Sequence, residues 1–164
     1  MAIPMILVDD NDQEIGQKLK RDRVVSDIYR VSALWIKNSR GESLLARRGF
    51  NKRTDPGLWG PAVAGTVEIG ETFDSNIIKE AEEELGLKNI TPIRTEKYRV
   101  SLPHDNHFTQ WYTLTLDQPA KDFIIKKDEV EEVKWFGKAE LQDAVNKTPQ
   151  EFLPNIKKWV KIFA

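Results

Sequence analysis

The stretch GTVEIGETFDSNIIKEAEEELGL, residues 65–87, decides the fold by its spacing. Its last third, KEAEEELGL (79–87), puts four glutamates into five positions just ahead of Gly86. Phe73, Ile77, Ile78, Ala81 and Leu85 recur at helical spacing, which predicts one apolar stripe on a helix from Thr72 to about Leu85. Thr72 is the expected cap, Asp74 suits the positive end of the helix dipole, and Gly86 is the expected stop. At about 100° per residue, Glu80, Glu83 and Glu84 share one arc beside that stripe, and Glu82 points away.

This arrangement is locally unfavourable. Glu80 with Glu84 and Glu80 with Glu83 are like-charge pairs that each destabilise an isolated helix by roughly 0.2 to 0.5 kcal/mol. Negative charge in the last turn adds about 0.3 to 1 kcal/mol per group. A solvated run explains Glu82. For the other three, a hard divalent cation such as Mg²⁺ or Mn²⁺ would remove the repulsion and use it.

Composition bounds what such a site can serve. The chain has 164 residues, the length of one domain spanning 1–164. With 25 basic and 26 acidic side chains the net charge is -1, so there is no global attraction to a nucleic acid polymer or an anionic membrane, and recognition of anions must be local. No apolar run approaches membrane-spanning length and no secretory leader is evident, so a soluble cytoplasmic protein is expected. There is no cysteine, which excludes disulfides, thiolate metal sites and a Cys nucleophile. His104 and His107 sit in LPHDNHF (102–108), read as a turn-like segment without a metal-ligand set.

Along the chain, MILVDD (5–10) predicts a short strand closed by the polar turn DDNDQEIG (9–16). DIYRVSALWIKN (27–38) alternates as a strand with Tyr29, Val31, Ala33 and Trp35 on one face, and SLLARRG (43–49) follows as its hairpin partner. LWGPAVAGTV (58–67) is apolar and rich in small residues. EKYRVSL (96–102), HFTQWYTLTLD (107–117) and EVEEVKWF (129–136) are further strands, and KAELQDAVNK (138–147) and QEFLPNIKKWVKIF (150–163) are helical, the latter interrupted at Pro154. In HFTQWYTLTLD, Phe108, Tyr112, Leu114 and Leu116 share one face and Trp111 takes the other, either as a half-buried structural residue or as a platform for a base. Strands with helices at intervals predict an α/β or α+β sandwich with a mixed sheet.

The spacing Gly65, five residues, Glu71, seven residues, KEAEEELGL resembles the Nudix box, G-x5-E-x7-R-E-U-x-E-E-x-G-U with U aliphatic. Gly65, Glu71, Glu80, Glu83, Glu84, Gly86 and Leu87 match. Lys79 stands where the family has Arg and Ala81 where it prefers a bulkier aliphatic; a lysine keeps the charge but loses the planar fork. The resemblance implies a Nudix-type α/β/α sandwich with a mixed central sheet, covering about Val31 to Phe136. It further implies that Glu80 and Glu84 are the main ligands of Mg²⁺ or Mn²⁺, that Glu83 assists and the Gly65 carbonyl joins, and that Glu71 orders the loop. The implied chemistry is hydrolysis of a small-molecule diphosphate by water attack on phosphorus. Glu83 is one choice of general base; a later glutamate, Glu129, Glu131 or Glu132, is the other.

A second resemblance, carried by ILVDDNDQEIG (6–16) and LLARRGFNKRTDPGLWGPAVAG (44–65), is to isopentenyl-diphosphate isomerase and the hydrolases near it. It implies Arg47, Arg48 and Lys52 as diphosphate-binding residues, with only one of the two arginines reaching in, because adjacent strand residues face opposite ways. Isomerases carry Cys-Gly-His where this chain has Ala64-Gly65-Thr66, which speaks against that activity. A non-catalytic nucleotide-binding module is the remaining alternative. Pro103 is similar in placement to a proline of ADP-ribose hydrolases, and a homodimer is compatible with everything above.

Overall fold

The computed structural model describes all 164 residues. An antiparallel hairpin of β1 (Met5–Val8) and β2 (Glu14–Lys18) leads into β3 (Ile28–Lys37), β4 (Ser43–Arg48), β5 (Trp59–Pro61) and β6 (Val63–Thr66). Helix α1 (Phe73–Leu85) follows, then the hairpin β7 (Ile93–Leu102) and β8 (Asp105–Thr115), strand β9 (Val130–Phe136), and helices α2 (Lys138–Lys147) and α3 (Ile156–Phe163).

Strand β3 organises the sheet. It pairs antiparallel with β1, β4 and β6 and parallel with β8 over its whole length, Tyr29 opposite His107 through Lys37 opposite Thr115. Beyond Leu44, β4 leaves β3 to lie between β5 and β9. The sheet is therefore mixed, with one parallel pair among antiparallel ones.

Because side chains alternate along a strand, β3 feeds two cores. Ala33 and Trp35 join Leu45, Trp59, Trp111, Phe136, Leu141, Trp159 and Val160 under α2 and α3. Leu34 and Ile36 join Leu44, Ala46, Val63, Ile77, Ala81, Leu85 and Tyr112 under α1. Burying each large side chain contributes roughly 1.5 to 3 kcal/mol, so both layers are held by burial on opposite faces of one sheet. This is the expected α/β/α sandwich. No helix is long and apolar enough to cross a membrane.

Three expectations need correction, and one segment read only by its composition forms two strands. DDNDQEIG is only partly a turn: Asp9 Oδ1 accepts from the Asn11 and Gln13 amides at 2.8 and 3.0 Å, and the chain then returns as β2. Strand β2 is exposed along nearly its whole length at the sheet edge, so no apolar alternation marks it. LWGPAVAGTV forms β5 and β6, kept short by its Gly and Pro. Ile78 stands 40% exposed, off the buried stripe of Ile77, Ala81 and Leu85. His107 lies within β8, not in a turn; the hairpin closes over Pro103 and His104 alone.

Candidate active site

The site begins with how α1 is fixed at its ends. Thr72 Oγ1 accepts from the Ser75 amide at 3.1 Å and Ser75 Oγ accepts from the Thr72 amide at 2.9 Å, a reciprocal capping box. At the other end Gly86 takes φ +69, its amide reaching Glu82 O at 2.9 Å and the Leu87 amide reaching Ala81 O at 3.1 Å. The last two carbonyls of the helix are satisfied from outside it: the Ile124 amide donates to Leu85 O at 3.2 Å and the Lys126 amide to Glu84 O at 3.0 Å. The segment ahead of β9 is thereby tied to the acidic end of α1, which brings Glu129 close enough for its charge to act on Glu84.

Strand β6 supplies the floor. A Cβ on Gly65 would lie 2.5 Å from Glu80 Cδ and 2.8 Å from Glu80 Oε1, so only glycine lets that carboxylate rest against the strand. Asn76, fully buried, donates to Thr66 O at 3.1 Å and Glu71 Oε2 at 2.8 Å and accepts from the Ser32 hydroxyl. One side chain so ties α1, β6, β3 and the loop of Glu71 together. The sequence reading missed Asn76, although an amide four positions before Glu80 at the margin of an apolar stripe was a visible signal. Glu71 also accepts from the Glu68 amide at 2.9 Å, which orders the loop.

The carboxylates differ in their electrostatics. Glu84 is half-buried, and desolvation first, then the charges of Glu80 and Glu129, push its pKa up to about 8 against the pull of Lys52 and Arg48. Burial also raises Glu80, aided by Glu83 and Glu71 and opposed by Lys79. Burial presses Glu71 upward too, but Lys79 and the Glu68 and Asn76 amide donors together hold it below the usual carboxylate range. Glu83 is exposed, and Glu82, as expected, faces solvent beside Lys88 at 3.6 Å.

Cations line the facing side. Lys52 is ion-paired with Glu129. Arg48 binds Thr54 O through Nε at 3.2 Å and a terminal nitrogen at 3.0 Å, and its charge acts on Glu84. Arg47 faces the other way, its Nε on Gly57 O at 2.9 Å and its guanidinium 5.0 Å from the Phe50 ring. Alternation along β4 thus brings Arg48, and not Arg47, to the carboxylate side. Lys20, which the sequence reading did not single out, joins this side: its pKa is lowered by desolvation and then by Lys52, against the pull of Glu129 and Glu80. Of the late glutamates only Glu129 reaches the cluster, while Glu131 and Glu132 line a separate hollow with Phe123 and Lys127. Trp111 is 2% exposed within the α2 and α3 core and offers no face to a base.

No three acidic or histidine side chains converge as a ready-made cation cage, so the expected set of Glu80, Glu83, Glu84 and Gly65 is not pre-assembled around one point. The donors present nevertheless fit a hard cation. Two partly buried carboxyls, raised first by burial and then by neighbouring carboxylates, provide oxygen ligands, and the missing Cβ of Gly65 lets the Glu80 carboxyl lie against the strand beside them.

Comparison with known proteins agrees with this geometry. Residues 28–156 match the NUDIX domain model. The chain is similar to an isopentenyl-diphosphate Delta-isomerase of Klebsiella pneumoniae, 27% identical over 92% of this chain and 84% of that one, and to an uncharacterised Nudix hydrolase of Streptomyces coelicolor, 29% identical over 91% and 81%. In structure it resembles DR0079 of Deinococcus radiodurans with a TM-score of 0.82 at 22% identity, each chain covered to 98%. It also resembles a MutT protein of Methanosarcina mazei, with a TM-score of 0.68 at 20% identity over 83% of this chain and 92% of that one. The match spans β3 to the start of α3 and contains the glycine floor, the acidic helix and the ordering loop, and on that ground the chain belongs to the Nudix family.

Proposed function

We propose that this Nudix hydrolase cleaves a diphosphate linkage in a small molecule, a nucleoside diphosphate joined to another moiety or a similar compound, by water attack on phosphorus. The observation that carries this reading is Glu84: a half-buried carboxyl facing two further carboxylates, with Lys52 and Arg48 alongside. Such a site is poorly stable as it stands and suits a divalent cation together with an anionic substrate.

Glu80 and Glu84 would hold Mg²⁺ or Mn²⁺, with Glu83 and the Gly65 carbonyl completing the set. When bound, the cation lowers the pKa of the attacking water and offsets charge building on the phosphoryl oxygens. Arg48, Lys52 and Lys20 hold the diphosphate by charge, and Arg47 braces the 49–58 loop against Phe50. Glu129 is the better placed proton acceptor among the late glutamates, once a substrate anion competes for Lys52; Glu83, exposed and next to Glu84, is the alternative. Glu71 and Lys79 orient the ligands. A cytoplasmic location is consistent with this substrate class.

Isomerisation of a prenyl diphosphate is favoured only by the relatives named for that activity. Against it, β6 presents an exposed Ala64 and a half-buried Thr66, and the chain has no thiol. The test is a panel of nucleoside di- and triphosphates, nucleotide sugars, dinucleotides and prenyl diphosphates with Mg²⁺ or Mn²⁺, following the phosphomonoester products, any inorganic phosphate or pyrophosphate, and isomerised product by chromatography. Cation-dependent hydrolysis of at least one compound is expected. Absence of hydrolysis across the panel, with tight binding of one nucleotide, would leave the binding-module reading in its place.

A further inference from the structure

Lys79 is where this copy of the motif departs from its family in charge geometry. Its ammonium lies 2.5 Å from Glu71 Oε1, 3.1 Å from Glu68 Oε2 and 3.6 Å from Glu80 Oε1. A guanidinium grips carboxylates through a rigid planar fork, whereas an ammonium has three donors on one nitrogen at the end of a flexible four-carbon stem. Between Glu71 and Glu80 alone, a lysine could swing about its stem. A third carboxylate removes that freedom.

Glu68 occupies a position the motif leaves open, within the five residues after Gly65. Its backbone is held by partners other than Lys79 itself. It bridges Met5 of β1, its amide donates to Glu71 Oε2 at 2.9 Å, and the following amide, of Ile69, donates to Pro4 O at 2.9 Å. From that anchor its side chain, 31% exposed, reaches back to Lys79. The same ammonium touches Glu80, whose carboxylate rests against Gly65, so the chain of contacts runs from β1 through Glu68 and Lys79 to a ligand carboxylate.

We propose that Glu68 is a positioning residue for the ligand carboxylates: acting through Lys79, it supplies the third contact that a lysine needs here and an arginine does not. Its effect on turnover rests on the hydrolase reading; its effect on Lys79 and on cation affinity does not.

The test compares Glu68→Gln, Lys79→Arg, the double variant of both and Glu82→Gln, which removes the same charge from the solvent face of α1. Three measurements are made: the Lys79 Nζ ammonium resonance by nitrogen-15 NMR at low temperature, Mn²⁺ binding without substrate by the signal of the free ion, and kcat and KM on the best substrate. In Glu68→Gln the ammonium resonance should broaden, Mn²⁺ affinity and kcat should each fall by about tenfold, and KM should stay within about twofold, the low end of what removing an outer-shell partner does. Glu82→Gln should leave all three within about twofold. The double variant should bind Mn²⁺ within about twofold of Lys79→Arg alone, because the fork makes Glu68 dispensable. An unaltered ammonium resonance in Glu68→Gln, or a double variant that binds Mn²⁺ as weakly as Glu68→Gln, overturns the proposal. If the wild type hydrolyses nothing, the proposed activity fails alone, and the resonance and the Mn²⁺ isotherm still decide the role of Glu68.

Discussion

The two faces of the central sheet are built from alternate residues of the same strands and are opposite in character. Under α2 and α3 the packing is aromatic: Trp111 lies 4.8 Å from Trp159 and 4.9 Å from Phe163 between ring centroids, and Trp59 meets Phe136 edge-on at 5.4 Å. The only buried side-chain polar atom without a partner, Trp111 Nε1, sits in this layer. Under α1 the core is mostly aliphatic, with Ser32 and Asn76 buried beside it and carboxyls at its margin. The difference teaches a division of labour. Burial on both sides supplies the stability, and the side under α1 also holds, at its margin, groups that oppose folding until a ligand arrives.

The sharpest way to break that comparison is Glu84→Gln. Turnover should drop by at least about a hundredfold, since altering even an outer-shell partner costs 10- to 100-fold. Glu83→Gln should fall with it if Glu83 assists or acts as base. Stability should move the other way. Glu84's folded pKa, about 8, lies above its unfolded value, so the protonated form is favoured by folding. The unfolded chain releases that proton at lower pH, so stability is present in acid and is lost as pH rises toward and through about 8. Metal-free Glu84→Gln should therefore be more stable than wild type at pH 9, the gap closing toward pH 5, when melting is followed by circular dichroism. A wild type whose metal-free stability is flat over that range would mean Glu84 is not desolvated.

The converse substitution, Trp159→Ala, tests the aromatic face. Removing this ring from between Tyr98, at 5.1 Å, and Trp111 should lower stability by about 3 to 5 kcal/mol, measured by urea unfolding. Mn²⁺ affinity of the protein still folded should change by less than about twofold, because sites this far apart on separate cores are near additive. Equal loss of Mn²⁺ binding in Trp159→Ala and Glu84→Gln would show the two faces to be one coupled unit.

What was legible in the sequence follows the same division. The acidic helix and its ends were readable because cap, stripe and stop are local and periodic, and the observed Phe73–Leu85 matches them. The long strands β3 and β8 were readable because burial on both faces imposes a strong pattern. Strand β2 was not, because an exposed edge strand imposes none, and neither were the short β5 and β6. Within the site, residue types on the motif could be named, Lys20 could not, and Asn76 offered a local signal but not its role. Lys20 reaches the carboxylates only through long-range folding of the segment between β2 and β3, and Asn76 matters through partners on three other elements. The pairing of Lys79 with Glu68 was equally invisible, since no spacing rule links a loop residue to the helix position eleven later.

The smallest expected effect lies at the other end of β3 and β8 and has the opposite sign of pH dependence from Glu84. His107 packs against Tyr29 with the rings tilted by 50° and centroids 5.5 Å apart, and its Nδ1 is 2.8 Å from Thr109 Oγ1. Burial lowers its pKa first; Asp105 opposes this, and Arg23 and Arg99 reinforce it. The folded chain thus keeps the ring neutral where the unfolded chain, near the usual value of about 6.5, takes up a proton. The unfolded state binds more protons in that window, so stability is full above the unfolded pKa and is lost as pH falls below it. His107→Gln should lose less stability than wild type between pH 7 and 5 while turnover at pH 8 is retained, read by urea unfolding at each pH. If the two proteins lose stability in parallel, the ring is charged in the folded state and its 3.6 Å approach to Asp105 is a working ion pair. With the expected result, the two buried groups act on metal-free stability with opposite signs: they offset where their windows overlap below the usual histidine value of about 6.5, and above it Glu84 alone gives an alkaline limb that falls toward about 8. Only the alkaline limb should flatten when Mn²⁺ is added, because of these two groups Glu84 alone belongs to the proposed cation site.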